Sequence, residues 1–398
     1  MKTMITGSKE LIRDMNTSLV LETIIGSRYI SRAAIAKKLG LTKATITNIV
    51  QDLIQKKFVL ENGSDDTLLG RKPILLSLNK NAGYVISIDI GIETITAIMT
   101  DLIGEEKSLR QIKTPNKKDL IVPTLIQLIE DMEPDRNQVP YGLIGITLGI
   151  HGVVYNNSIQ FTPNYDLEHV DLASAIEEHF QTPVYVENVA NLSVIGEKAF
   201  LYNYGNISSI MIYDGIGMGV MIHNELYTGS QGHAGEIGHT IVAVDGKPCP
   251  CGNHGCLEQY LSEQALLKEF AKENSMEQVH FDQFLDMYHK GNPSASKIID
   301  TFIKYMAVCV NNIVNNYNTD VIIINSSFTT HLPQIIEQIK ERLNEHVKSK
   351  INLVPSTLGI SAILLGGMCI AIKNFLNVKE TNFTKYDYSK MPNQHFQK

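Results

Sequence analysis

Apolar residues recur at helical spacing in TSLVLETII (residues 17–25), in RAAIAKKLG and in KATITNIVQDLIQKKF. Ser31 stands before the second run as an N-cap and Gly40 ends it, while Thr42 caps the third. Ile46, Ile49, Val50, Leu53 and Ile54 mark the buried stripe of that third helix. Two short helices joined at Leu39-Gly40-Leu41 predict a helix-turn-helix. The period then changes. FVLENG and PILLSLN read as two strands around a turn that holds Gly70-Arg71-Lys72-Pro73, a wing.

From residue 84 the pattern becomes that of buried strands. YVISIDIGI and TITAIMTDLIG predict a hairpin. YGLIGITLGIHGVV, TPVYVENVA, SSIMIYDGIGMGVMI and DVIIINSS are further apolar runs ending in glycine-rich or polar turns. Helical spacing lies between them at about 117–132, 168–180 and 190–200, and later at about 293–317 and 358–376. Strands alternating with helices predict an α/β body. The expected divisions are a head at 1–80, a first lobe from 81–187 with 358–378, a second lobe at 188–357, and a polar, frayed tail at 379–398.

Composition adds limits. The 398 residues are 43% hydrophobic and 19% charged, an ordinary globular balance with room for two or three domains. No run of about 18 apolar residues is present, so no membrane span is expected. The first residues, MKTMITGSKELIRDMN, lack the apolar stretch of a secretory signal, so the expected location is cytoplasmic. Charge is uneven: residues 1–80 hold 13 Lys+Arg against 7 Asp+Glu, and the remainder 22 against 35. A basic head on an acidic body points to a polyanion met by the head alone.

The chemistry follows this division. Thr42, Lys43, Ala44, Thr45, Thr47 and Asn48 open the outward face of the third helix. Small and amide side chains there suit the major groove, where Asn reads adenine and Thr or Ala meets a thymine methyl. Helix pairs of this kind also serve as packing alone; the wing, with Arg71 and Lys72 suited to a minor groove or phosphate, favours DNA. In the body, GEIGHTIVAVDGKPCPCGNHGCLEQY places His239, Cys249, Cys251 and Cys256 together. Three of the five cysteines fall within eight residues. In a reducing compartment this His/Cys3 set predicts a closed, structural Zn2+ site rather than a disulfide. Cys309 and Cys369 lie in apolar helical patterns and read as core residues.

Head and body together resemble the ROK family (repressors, open reading frames, kinases), and most of all its xylose-repressor branch. The resemblance runs over about residues 15–378. It rests chiefly on GEIGH…CPCGNHGCLEQY, with YGLIGI, FTPN and GEKAF in support. It implies a winged helix-turn-helix followed by a two-lobed, actin-like α/β body of the sugar-kinase type, closing on a sugar cleft. It also implies sugar contacts at Gly152, Asn164, Asn188, Val189, Glu236, His239 and Glu258. Where the family has a proline before the glycine, this chain has His151.

The family's kinase chemistry is not carried over. The base is the Asp of Asn-Asp-Ala-Asn, and here the run is Asn188-Val189-Ala190-Asn191, with no titratable group at the second position. Glu187 is adjacent, but on a continuing strand its side chain points to the other face. The first phosphate loop reads Asp89-Ile90-Gly91-Ile92-Glu93-Thr94, the second Tyr213-Asp214-Gly215 and the third Asn325-Ser326-Ser327, each departing from the family's pattern. The reading is therefore a repressor without enzymatic activity. It binds a palindromic operator as a homodimer, with a tetramer as the larger alternative, and a small sugar such as xylose releases it. Two other readings stand beside it: an active sugar kinase with a DNA-binding head, and a repressor controlled by a partner protein.

Overall fold

The structure is a computed structural model. It describes residues 9–63, 73–132, 139–163, 167–168 and 170–386. These divide into two compact units, one of the described residues up to 188, 198–203 and from 364 on, the other of those in 189–197 and 204–363.

The head opens with helix α1 (Lys9–Ser27), followed by strand β1 (Ile30–Ser31), α2 (Arg32–Leu39), α3 (Lys43–Gln55), β2 (Val59–Asn62) and β3 (Leu75–Leu78). The caps are as the sequence predicts. Ser31 Oγ accepts from the Ala34 N–H at 3.2 Å, Gly40 ends α2 in the left-handed region, and Thr42 Oγ1 accepts from the Thr45 N–H at 3.1 Å. Ile46, Ile49, Val50 and Leu53 are buried, and Ile54 half-buried. The strands pair antiparallel in the order β1-β3-β2. Arg71 and Lys72, at the predicted wing tip, lie outside the described residues.

The rest of the first unit is built on a five-stranded sheet. Its strands are β4 (Tyr84–Ile90), β5 (Thr94–Asp101), β6 (Glu106–Lys113), β7 (Leu143–Ile150) and β10 (Val184–Asn188), in the order β10-β7-β4-β5-β6. The meander β4-β5-β6 is antiparallel, and β7 and β10 join it in parallel. A hairpin of β8 (Val153–Tyr155) and β9 (Ser158–Phe161) follows β7. Helices α4 (Ile121–Met132) and α5 (Leu172–Phe180) bury Leu125, Ile129 and Ile176 against Ile86, Ile88 and Leu148. The edge strand β6 is not among the predicted strands: EKSLRQIK exposes Lys107, Arg110, Gln111 and Lys113 and has no apolar run to betray it.

Helix α6 (Val189–Phe200) leads into the second unit, which repeats the plan. The apolar run at 208–222 folds as two strands. Strands β11 (Ile207–Ile212), β12 (Ile216–Ile222) and β13 (Glu225–Leu226) form an antiparallel meander. They are joined in parallel by β14 (Val321–Ser326) and β15 (Leu353–Pro355), in the order β13-β12-β11-β14-β15. Helices α7 (Glu258–Leu261), α8 (Glu263–Glu273), α9 (Phe281–His289) and α10 (Pro293–Tyr317) follow the glycine-rich loop. Then come the short α11 (Ser327–His331), α12 (Ile335–Glu341) and α13 (Glu345–Lys348). Phe270, Phe284, Phe302 and Phe328 are fully buried in this unit's core. Helix α14 (Ser361–Leu376) is the last regular element among the described residues. Cys309 and Cys369 are buried core residues, on α10 and α14.

Two of the expected divisions differ. The head belongs with the first lobe as one unit. Phe58, just past α3, stacks on Tyr141 at 5.1 Å between centroids, and both meet Phe375 of α14 edge-on. Tyr141 Oη donates to the Lys56 carbonyl at 2.8 Å. Nor is the start of the tail frayed. Phe383 is completely buried, its ring 5.2 Å from Phe200 and its N–H bonded to the Ala199 carbonyl at 2.7 Å. The Lys379 N–H donates to Glu22 of α1 at 2.7 Å. Burial of one phenylalanine outweighs the polar composition around it. No helix among the described residues is long and apolar enough to cross a membrane.

Candidate functional site

On the head, Thr42, Lys43, Ala44, Thr47 and Asn48 are exposed and Thr45 is half-buried. Their hydroxyls are partly engaged inside the helix. Thr42 and Thr45 pair at 2.8 Å, and Thr47 Oγ1 donates to the Lys43 carbonyl at 2.8 Å. The exposed side chains of Lys43, Ala44 and Asn48 take no part in these bonds.

In the second unit, the four proposed ligands converge. The donor atoms of His239, Cys249, Cys251 and Cys256 all lie within 4.8 Å of one another. His239 Nδ1 is 3.8 Å from Cys249 Sγ, and Cys251 Sγ is 3.6 Å from Cys256 Sγ. A tetrahedral ion with bonds of about 2.3 Å to sulfur needs donors roughly 3.8 Å apart, so the set fits a metal ion. All five cysteines are free thiols. Burial pushes the Cys256 thiol up to about 12. The Asn253 backbone N–H and the neighbouring thiols draw Cys251 down to about 7. Without a cation the thiols compete for one negative charge; a divalent cation lets them ionise together. The chain can turn this tightly because Gly255, at φ +79°, lies where a Cβ would come within 1.7 Å of the Ala243 carbonyl oxygen.

The same loop carries the polar groups. The Leu257 N–H donates to Thr240 at 2.9 Å, tying the segment after Cys256 to the one after His239. One residue on, Glu258 begins α7, and its Oε2 accepts from the Ile216 N–H at 3.1 Å. Burial raises the Glu236 carboxyl above its usual range, opposed by His239 and His233 and assisted by the like charge of Glu258. Glu236, His239 and Glu258 thus form one electrostatic cluster, all half-buried.

The first unit holds the other group. Asn188, at the end of β10, donates from Nδ2 to the Gly152 carbonyl at 2.7 Å. Its neighbour Val189 starts α6 and is buried. Glu187 does not simply point away: its Oε1 turns back to accept the Asn188 N–H at 2.8 Å. Asn164 lies outside the described residues. His151, without a role from sequence, places Nε2 2.9 Å from Asp89 Oδ1. The two residues are 62 positions apart, and no spacing rule links them.

The turns that correspond to phosphate loops are closed by the protein's own hydrogen bonds. The Gly91 N–H donates to the Thr94 carbonyl at 3.1 Å. The Tyr213 N–H donates to the Gly215 carbonyl at 3.1 Å. Tyr213 Oη donates to Asn325 Oδ1 at 2.7 Å, and Asn325 Nδ2, fully buried, to the Gly359 carbonyl at 2.8 Å. A phosphate cradle needs such backbone N–H groups aimed outward; at Gly91 and Tyr213 they point back into the chain.

This fold and site define a class. The ROK family model matches residues 85–396, and the chain belongs to the ROK family. Along nearly its whole length it is similar to named repressors. The xylose repressor of Bacillus spizizenii is 35% identical over 384 residues, covering 94% of this chain and 98% of that protein. The xylose repressor of Bacillus subtilis is 33% identical over 381 residues, with the same shares covered. Among solved structures, a ROK family transcriptional regulator, homologous to the Escherichia coli MLC protein, superposes with a TM-score of 0.77 at 24% identity. It covers 92% of this chain and 96% of its own. A ROK family glucokinase from Streptomyces griseus, in complex with glucose and AMPPNP, gives 0.63 at 23% identity, covering 72% and 98%. Both share the fold.

Proposed function

We propose that this chain is a sugar-responsive transcriptional repressor. Its head binds a palindromic operator, in a homodimer whose half-sites lie about one or two helical turns apart. A small sugar, xylose or a related pentose, binds the body and favours the arrangement that releases DNA. Lys43, Ala44, Thr45 and Asn48 read bases near the cap residue Thr42, Thr47 lines the same face, and Arg71 and Lys72 meet the backbone or minor groove. Gly152, Asn164, Asn188, Glu236, His239 and Glu258 hold the sugar, with Val189 as an apolar wall.

One observation carries the reading: a buried valine, Val189, stands beside Asn188 where a kinase has its carboxylate base, while the groups that hold sugar hydroxyls are retained. A valine takes no proton from a hydroxyl. The relatives named as xylose repressors support the pentose. The bound metal is structural zinc in this reading. Four protein ligands leave no open position for water, so zinc fixes the loop that carries Glu258.

The test is DNA binding by fluorescence anisotropy at fixed salt, using a duplex selected by the protein from a random library, across a panel of pentoses and hexoses. At least one sugar is expected to weaken binding. No response to any sugar sinks the sensor reading, and ATP turnover with any of them restores the kinase alternative.

A further inference from the structure

We propose that His151 is a positioning residue for the bound sugar and that Asp89 is kept as its anchor. The inference rests on the sugar-binding reading above. Asp89 sits near the end of β4 and is 8% exposed. Its backbone is fixed on both sides, opposite Thr96 of β5 and Gly149 of β7. A carboxylate placed there is a rigid post, and a buried carboxylate must be paired or hydrogen-bonded to be tolerated.

The turn after Asp89 gives it no phosphate to serve. The Gly91 N–H is held by Thr94, the Gly91 carbonyl accepts from Thr114 Oγ1 at 2.7 Å, and the Thr114 N–H donates to the Glu93 carbonyl at 2.9 Å. The partner observed is the imidazole of His151, 2.9 Å away. A hydrogen bond to a carboxylate is stronger than a neutral one and orients both groups.

His151 is followed directly by Gly152, whose carbonyl accepts from Asn188 at 2.7 Å. The segment has no slack: a Cβ at Gly152 would lie 2.2 Å from the Phe161 carbonyl oxygen, at the end of β9. It is therefore tied to β4 through His151, tied to β10 through Asn188, and pressed against β9. The family's proline at position 151 fixes its own φ but offers no side-chain hydrogen bond. Here the imidazole supplies a tether instead. With Val189 in place of a carboxylate, recognition leans on Asn188 and the Gly152 segment, so their placement governs affinity.

A double-mutant cycle read by calorimetry tests this, with D-xylose, L-arabinose and D-glucose as probes. His151→Ala and Asp89→Ala should each weaken binding of the best probe by about tenfold, the size of one lost charge-assisted hydrogen bond. The double variant should be no weaker than either single one, because both remove the same tether. His151→Gln, which keeps a donor at similar reach, and Asp89→Asn, which keeps an acceptor, should recover most of the affinity; they also decide the matter should an alanine variant fail to fold. Unchanged affinity in His151→Ala, additive losses, or no recovery in the conservative variants overturns the proposal and leaves the sugar reading intact. Failure of the unaltered protein to bind any probe overturns both.

Discussion

Glu197 lies wholly inside the second unit, where Ser356 Oγ donates to its Oε1 and, among the described residues, Oε2 has no partner. Burial pushes its carboxyl up to about 7, and Glu263 is likewise raised to about 7 by burial. Both bind a proton more tightly folded than unfolded. Their stabilising contribution is therefore complete below the ordinary carboxylate range near pH 4.5 and is lost as pH rises through about 7. The unfolding free energy measured by denaturant titration from pH 5 to 8 should fall with pH, by an amount on the order of 1–3 kcal/mol per group. Glu197→Gln should make that slope shallower, with Glu263 retaining the rest; an unchanged slope would remove Glu197 from the account. The His/Cys3 cluster makes a second prediction at this scale. Elemental analysis should find one zinc per chain, absent in Cys256→Ala, and a chelator should lower the melting temperature of the unaltered protein alone.

Helices and strands place these residues, and the head is the part most exposed to element-level change. Within the first unit it is seated by an aromatic trio, Phe58 after α3, Tyr141 before β7 and Phe375 on α14, joined by the Tyr141 hydroxyl to the Lys56 carbonyl. Aromatic pairs add about 0.5–1.5 kcal/mol each beyond their burial. Phe375→Ala should therefore loosen the head without unfolding the body. Hydrogen exchange should quicken in residues 53–58 while β4 and β7 stay protected, and equal exchange in both proteins would count against the trio as the seat. Thr42→Ala removes the side-chain cap of α3 and should destabilise the head by about 1 kcal/mol. It should also weaken DNA binding without altering sugar affinity.

At the scale of the whole molecule, sugar and DNA act on one protein through different parts, so their effects on each other must be equal. If a sugar weakens operator binding by some factor, saturating operator must weaken sugar binding by that same factor. Calorimetric titration of the sugar with and without the selected duplex measures this, and unequal factors would mean that the two ligands do not share one equilibrium. The two units also repeat a plan, a three-stranded meander extended by two parallel strands. The repetition was invisible in the sequence because β6 and β13 are a polar edge strand and a two-residue strand.

What the chain's sequence determines by itself is local. The caps Ser31 and Thr42, the stop at Gly40, the stripe from Ile46 to Leu53 and the close spacing of Cys249, Cys251 and Cys256 each act over a few residues, and each is found where its pattern puts it. That Val189 offers no titratable group is likewise a matter of which atoms one side chain possesses. Only the tertiary structure decides the rest. It pairs His151 with Asp89 across 62 positions, buries Glu197 although its type favours solvent, and draws Phe383 out of a polar tail into contact with Phe200. Those outcomes depend on which distant surfaces meet and on the free energy of excluding water between them. No periodicity along the chain encodes that.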